Sequence, residues 1–183
     1  GADLAGEKIG IIGMGRIGRE LAKRAKAFNM NITYYNRKKL SFEIESKYCA
    51  VWNDLSTLLK TSKYVVILCP LNKDSYQLIG KSELEIMRKD SFIINIARGK
   101  ILNELALVEA LISKKIAGAA LDVFENEPYF DKRLADMKNV ILTPHAGSAT
   151  ISTRPSMIRL AASNILAYFS GGKVPNIINK EFI

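Results

Sequence analysis

Three side chains in this sequence are of the types that together can hold a carbonyl compound and exchange a proton with its oxygen. They are a cation, Arg98, an acid, Glu127, and the only histidine, His145. Each follows a short apolar run of the kind that forms a buried strand. Arg98 comes after residues 92–96, Glu127 lies in the segment after residues 116–121, and His145 comes just after residues 140–142. In an open parallel sheet, ligands bind outside the carboxyl ends of the strands. All three would therefore emerge on one edge. Singly, each has an ordinary alternative: a solvated loop histidine, a glutamate in a turn before Pro128, and an Arg98-Gly99 turn. It is their common placement that points to chemistry.

The same edge receives a stretch with a second kind of chemistry, Gly10-Ile11-Ile12-Gly13-Met14-Gly15-Arg16-Ile17-Gly18. A short apolar run ends in Gly-x-Gly-x-x-Gly and a helical pattern follows at once. Gly13 allows a tight turn, Gly15 lets backbone N–H groups approach a pyrophosphate, and Gly18 lets the helix pack near the strand. The helix N-terminus adds unpaired donors and partial positive charge. The alternative, a plain glycine-rich turn, does not need this strand-to-helix setting. A dinucleotide held here would place a nicotinamide beside a base, an acid and a cation, which suits hydride transfer to a carbonyl.

Strand-like runs at residues 9–12, 32–35, 64–68, 92–96, 116–121 and 140–142 alternate with helical patterns. The helices are expected at 16–28, 41–49, from Asp54 or Ser56 through Leu59, 82–87, 104–113 and 156–169. The first should bury Ile17, Leu21, Ala25 and Phe28. The fifth, capped by Asn103, should bury Leu105, Val108, Leu111 and Ile112. Residues 122–139 have no clear period, and a loop this long in a compact domain is often functional. The alternation predicts an α/β fold, a doubly wound parallel sheet of the Rossmann dinucleotide-binding type. Residues 1–150 are expected to form that domain, with 151–183 as a C-terminal helix and tail packing on it.

Dinucleotide-binding folds place an acid about 20 positions after the glycines, where it binds the adenosine ribose. Here that place holds Asn36-Arg37-Lys38-Lys39. Without a carboxylate, and with a guanidinium able to grip a phosphate through paired donors, NADP(H) is favoured and NAD(H) is possible. The alternative is that these cations face solvent. The net charge of +9 is spread over the chain, which fits solvated faces, an anionic ligand or nucleic acid. No basic stripe interleaved with aromatics and no zinc-finger spacing supports nucleic acid, so no nucleic-acid partner is expected. No apolar run approaches the ~20 residues of a membrane span, nor does Gly1–Leu4 open a signal pattern, so the reading is cytoplasmic, with no membrane partner. Cys49 and Cys69 are expected to be buried free thiols, and neither has metal-type spacing.

These motifs together resemble the D-isomer-specific 2-hydroxyacid dehydrogenases. The resemblance runs from the glycine loop through Cys69-Pro70-Leu71, Asn95-Ile96-Ala97-Arg98-Gly99 and Leu121-Asp122-Val123-Phe124-Glu125-Asn126-Glu127-Pro128 to Pro144-His145-Ala146-Gly147-Ser148-Ala149-Thr150. The basic segment after strand two is similar to the NADPH-using glyoxylate and hydroxypyruvate reductase branch. The resemblance implies that Arg98 holds the carboxylate and carbonyl oxygen of a small 2-oxo acid. It implies that His145 is the general acid, and that Glu127 hydrogen-bonds His145 and favours the protonated ring. On the cofactor it places Gly13, Met14, Gly15, Arg16, Ile17 and Gly18 around the pyrophosphate, and Asn36, Arg37 and Lys38 at the ribose. Cys69 and Pro70 would lie along the adenosine, Asp122 on the carboxamide, and Ala97 and Gly147 nearby. Asn103 stands where the family often has Asp, and Ala146 where it has a larger aliphatic residue.

The resemblance also implies a homodimer and a substrate-binding domain placed mostly ahead of the glycine loop, whereas only Gly1–Lys8 precede the first strand here. The expectation is a cofactor-binding domain with little turnover by itself. A second class of function is also compatible with the motifs: a dinucleotide-sensing interaction module like the corepressors that share this fold.

Overall fold

Side chains on this protein's central strands are buried in both directions, and this requires layers on both sides of a sheet. The computed structural model describes residues 3–179; the end of the expected tail, residues 180–183, lies outside the described residues. The elements in order are β1 (Lys8–Ile12), α1 (Arg16–Ala27), β2 (Asn31–Tyr35), α2 (Phe42–Tyr48), β3 (Ala50–Trp52), α3 (Leu55–Thr61) and β4 (Tyr64–Ile67). There follow α4 (Lys81–Ile86), β5 (Phe92–Asn95), α5 (Glu104–Ile112), β6 (Gly118–Leu121), β7 (Val140–Leu142) and α6 (Thr153–Phe169). All strand pairs are parallel, in the order β3-β2-β1-β4-β5-β6-β7. The winding reverses between β1 and β4. This is the Rossmann-type arrangement expected from the alternation.

Alternation along β4 divides the core. Val65 and Ile67 join Ile12, Leu58, Ile93 and Leu107 in one buried cluster, and Val66 joins Ile9, Ile11, Ala22 and Tyr34 in another. Asp54 caps α3 by accepting the Thr57 N–H (2.9 Å), and Asn103 caps α5 by accepting the Ala106 N–H (2.8 Å). Each cap satisfies one of the donors that a helix start leaves unpaired.

Two helix faces differ from expectation. On α1 the buried residues are Gly18, Ala22 and Ala25, whereas Ile17 and Phe28 are exposed. The helix sits so close to β1 that only small side chains fit beneath it. On α5 the buried set is Ala106, Leu107, Val108, Ala110 and Leu111, with Leu105 and Ile112 exposed. That helix is apolar everywhere except Glu104 and Glu109, so its sequence pattern does not single out one face. Strand β3 was not foreseen; it is three residues long and lies at the sheet edge. The thiols are free as expected, but Cys49 is exposed and Cys69 half-buried. Cys49 closes α2 in the left-handed conformation, φ 50°, at the end of a helix with no buried residue.

The chain divides into two compact units between His145 and Ala146, slightly ahead of the expected boundary at 150. The second unit contains α6, none of whose residues is buried. It starts at Thr153, earlier than the expected 156, with the Thr153 N–H donating to Thr150 Oγ1 (3.0 Å). No helix among the described residues is long and apolar enough to cross a membrane.

The choice of face on α5 is measurable. Leu107→Ala should cost about 2–5 kcal/mol of stability, through lost burial and the cavity left behind. Leu105→Ala should change it by no more than about 0.5 kcal/mol. Thermal or denaturant unfolding reads both, and equal losses would contradict the packing described.

Candidate functional site

The glycine loop lies where the winding reverses, between the ends of β1 and β4. Gly13 has φ +106°, and a Cβ there would lie 2.5 Å from the Cys69 backbone nitrogen. A Cβ on Gly18 would lie 2.4 Å from the Gly13 carbonyl oxygen, so the loop, α1 and the end of β4 are fitted backbone to backbone. Gly15 is different: a Cβ there meets nothing within 4 Å. Its missing side chain therefore serves no packing within the chain. Gly15 caps α1 without a side-chain hydrogen bond, and no acid occupies the first turn of the helix. Nearby, the Arg19 Nε is buried without a partner. Open donors, an orphaned guanidinium nitrogen and space above Gly15 fit a bound pyrophosphate.

A cleft of about 810 Å³ runs from this loop across the ends of β2 and β4. Met14, Asn36, Arg37, Lys38, Cys69 and Pro70 all line it. Asn36 Oδ1 accepts the Met14 N–H (2.8 Å), and the Asn36 carbonyl accepts the Trp52 indole N–H (3.0 Å). The residue at the acid's usual place thus ties the glycine loop to β2, and the unforeseen β3 holds it there. At the far side of this segment the Leu40 N–H donates to the Tyr34 hydroxyl (2.8 Å), which in turn donates to Glu45 (2.9 Å). Burial of Tyr34 pushes its hydroxyl up to about 12. Arg37 donates to the Asp74 carboxylate, a partner the sequence did not suggest. Burial raises the Cys69 thiol above its ordinary value, so it stays protonated.

At the other end of the sheet edge, His145 Nδ1 lies 2.9 Å from Glu127 Oε2. The second carboxylate oxygen of Glu127 accepts the Phe124 N–H (3.0 Å). A carboxylate facing Nδ1 makes that nitrogen the donor and leaves Nε2 for proton exchange. His145 takes a left-handed backbone, φ 51°, just after β7. Glu127 is held below its ordinary carboxyl value, first by the His145 hydrogen bond, then by the Phe124 N–H, with the Arg98 charge adding to both. An apolar cleft of about 440 Å³, walled by Phe124, Pro128, Phe130, Leu142 and Pro144, opens beside the pair.

Arg98 is placed by Asn95, a buried amide at the end of β5. It accepts the Ala97 N–H (3.1 Å) and donates to the Arg98 carbonyl (3.1 Å). The Arg98 guanidinium itself donates to the Ala97 carbonyl (2.6 Å). The loop bearing Glu127 is clasped from α5. Glu104 accepts the Asp131 N–H (2.6 Å) and the Glu125 N–H (3.2 Å), while Glu125 accepts the Glu104 N–H (3.4 Å). Asp122 is buried and accepts the Thr143 hydroxyl (2.5 Å).

The structure thus brings Glu127 and His145 into contact and keeps Arg98 within electrostatic reach of Glu127. Arg16 and Ile17 stand exposed on the first turn of α1 and do not line the cleft, while Gly18 is buried beneath it. Gly147 falls in the second unit. Sequence reasoning missed Asn95, Thr143, Glu104, Glu125 and Asp74. The only available signals were an amide ending an apolar strand and acids flanking a loop with no period.

Residues 1–147 match the sequence profile of the D-isomer specific 2-hydroxyacid dehydrogenase NAD binding domain. The chain belongs to this family. It is 47% identical over its whole length to a glyoxylate reductase of Thermococcus gammatolerans, and equally so to one of Pyrococcus horikoshii, covering 54% of each. The crystal structure of a glyoxylate reductase from Paecilomyes thermophila superposes with a TM-score of 0.89 at 39% identity, over 99% of this chain and 55% of that one. The chain therefore spans about half the length of the relatives it matches.

Because Glu127 is shifted down on folding, its contact with His145 contributes above the ordinary carboxyl range and is lost as pH falls through the lowered folded value. His145 is the only histidine, so its Hε1 resonance reports this without overlap. It should show an inflection below the ordinary carboxylate range that disappears in Glu127→Gln. An inflection that persists in the variant would show that Glu127 is not the group sensed.

Proposed function

We propose that residues 1–150 are the dinucleotide-binding domain of an NADP(H)-preferring oxidoreductase. The whole protein would reduce small 2-oxo acids, of the glyoxylate or hydroxypyruvate kind, to D-2-hydroxy acids. The observation that carries this reading is the 2.9 Å contact of Glu127 with His145 on the same sheet edge as an open phosphate cradle at Gly15. The names of the relatives are in keeping with it. The corepressor-like alternative draws no support from these relatives, whose names are those of reductases.

In this reading, Arg98 holds the substrate carboxylate and the carbonyl oxygen through its paired donors. His145 delivers a proton from Nε2 to that oxygen as the C=O bond is reduced, and takes it back in the reverse direction. Glu127 keeps Nδ1 as the donor and fixes the ring's orientation. Proton transfer from a group so placed typically contributes ~10²–10⁴ in rate. Asp122, fixed by Thr143, binds the carboxamide of the cofactor, with Ala97 nearby. The bound dinucleotide supplies the reducing hydride. The homodimer implied by the family belongs to the same proposal.

The NADP(H) preference is supported by the chemistry of the second strand's end. Asn36 presents no charge to repel a phosphate, and Arg37 and Lys38 line the cleft beside it. Titration of nicotinamide fluorescence should give tighter binding of NADPH than of NADH. Arg37→Ala should weaken NADPH by about tenfold, the scale of one charged hydrogen bond, and leave NADH nearly unchanged. Equal affinities untouched by the substitution would remove the preference.

The cradle itself gives a cleaner separation of folding from binding. A methyl group on Gly15 meets open space, so Gly15→Ala should hold stability within about 0.5 kcal/mol. The same methyl occupies the phosphate's place, and both dinucleotides should bind about tenfold or more weakly. Unchanged binding would show that the phosphates lie elsewhere.

A further inference from the structure

The cleft is lined by three cations, Arg19, Arg37 and Lys38, and by one carboxylate, Asp74. An acid in the mouth of a site for a phosphorylated ligand needs a reason. Asp74 does not hang loosely there. Asn72 Oδ1 accepts the Asp74 N–H (2.9 Å) and the Ser75 N–H (3.1 Å). Ser75 Oγ accepts the Asn72 N–H (2.8 Å) and donates to the Pro70 carbonyl (2.6 Å), and Ser75 is buried. The turn after β4 therefore holds Asp74 on one bank of the cleft, and its carboxylate reaches Arg37 on the other.

Both partners of the pair are well exposed, at 69% and 63% of their side-chain surface. An exposed ion pair of this kind contributes little, so a stronger anion can break it. A phosphate monoester carries close to two negative charges at neutral pH. To take the donors of Arg37 it must release Asp74. A ribose hydroxyl at the same place does not ask for this, and the pair stays closed.

We propose that Asp74 is a specificity-determining residue: by bridging the cleft to Arg37 it competes with the 2′-phosphate and moderates the preference for NADP(H) over NAD(H). This rests on the reading of Arg37 as the phosphate's partner. Removing the charge of Asp74 should sharpen the preference, whereas removing Arg37 should abolish both the preference and the effect of Asp74. The two residues act as one unit, and their substitutions are therefore not additive.

The test is a double-mutant cycle on the purified protein, read by nicotinamide fluorescence with NADPH and with NADH. The variants are Asp74→Asn, Arg37→Ala and the double substitution, with Asp74→Ser as a second removal of the charge. Melting temperatures establish that each is folded. The expected result is NADPH binding tightened by about two- to fivefold in Asp74→Asn and Asp74→Ser, with NADH binding unchanged. In the Arg37→Ala background the Asp74 substitution should have no effect. An unchanged NADPH:NADH ratio in both Asp74 variants overturns the inference. So does equal tightening in the Arg37→Ala background, which would mean general repulsion rather than competition for Arg37. Where either of those results comes with an Arg37→Ala variant that still loses NADPH affinity, the inference alone falls. If Arg37→Ala costs nothing, the phosphate reading falls with it.

Discussion

The seat of the glycine loop against the end of β4 is the constraint on which the rest of the domain depends. Gly13 turns there with positive φ, so close to Cys69 that no side chain fits. Gly18 brings α1 against the Gly13 carbonyl, which is why α1 buries alanines and exposes Ile17 and Phe28. The helix N-terminus consequently faces the cleft between β1 and β4, at the reversal of strand order where ligands of such sheets bind. Asn36 extends the same constraint to β2 through the Met14 N–H. One backbone fit thus positions the start of α1, the end of β2 and the turn that carries Asp74.

The chemical end of the site is built differently, from loops tied by side chains. Asn95 shapes the turn that presents Arg98, Glu104 and Glu125 clasp the loop that presents Glu127, and Thr143 pins Asp122. Gly99 passes so near the Phe124 carbonyl that a Cβ would sit 1.8 Å from it, which locks the Arg98 turn to the Glu127 loop. The Glu127–His145 pair therefore rests on a shell of hydrogen bonds between strand ends.

What the sequence made legible was mostly local. The glycine spacing, the apolar runs of β1, β4 and β5, and the caps Asp54 and Asn103 act within a few residues, and they appear as read. Arg98, Glu127 and His145 came forward because each follows an apolar run, which places all three at one sheet edge. What stayed hidden acts at a distance. Arg37 meets Asp74 across 37 positions, and Thr143 meets Asp122 across 21. No period in the chain encodes such pairs. The apolar run of α5 could not select its own buried face, because tertiary packing makes that choice. β3 was too short to stand out from the turn around it, yet its Trp52 holds the carbonyl of Asn36.

Cofactor placement and acid–base geometry meet in one claim: that a dinucleotide lies along this edge with its phosphates over Gly15 and its nicotinamide toward His145. The most direct measurement is a crystal structure of the protein grown with NADPH. Density for the pyrophosphate at the start of α1, the 2′-phosphate at Arg37 and the nicotinamide ring facing Arg98 and His145 is the predicted result. A dinucleotide bound with its phosphates away from Gly15, or with its nicotinamide at the β2 side, would contradict it.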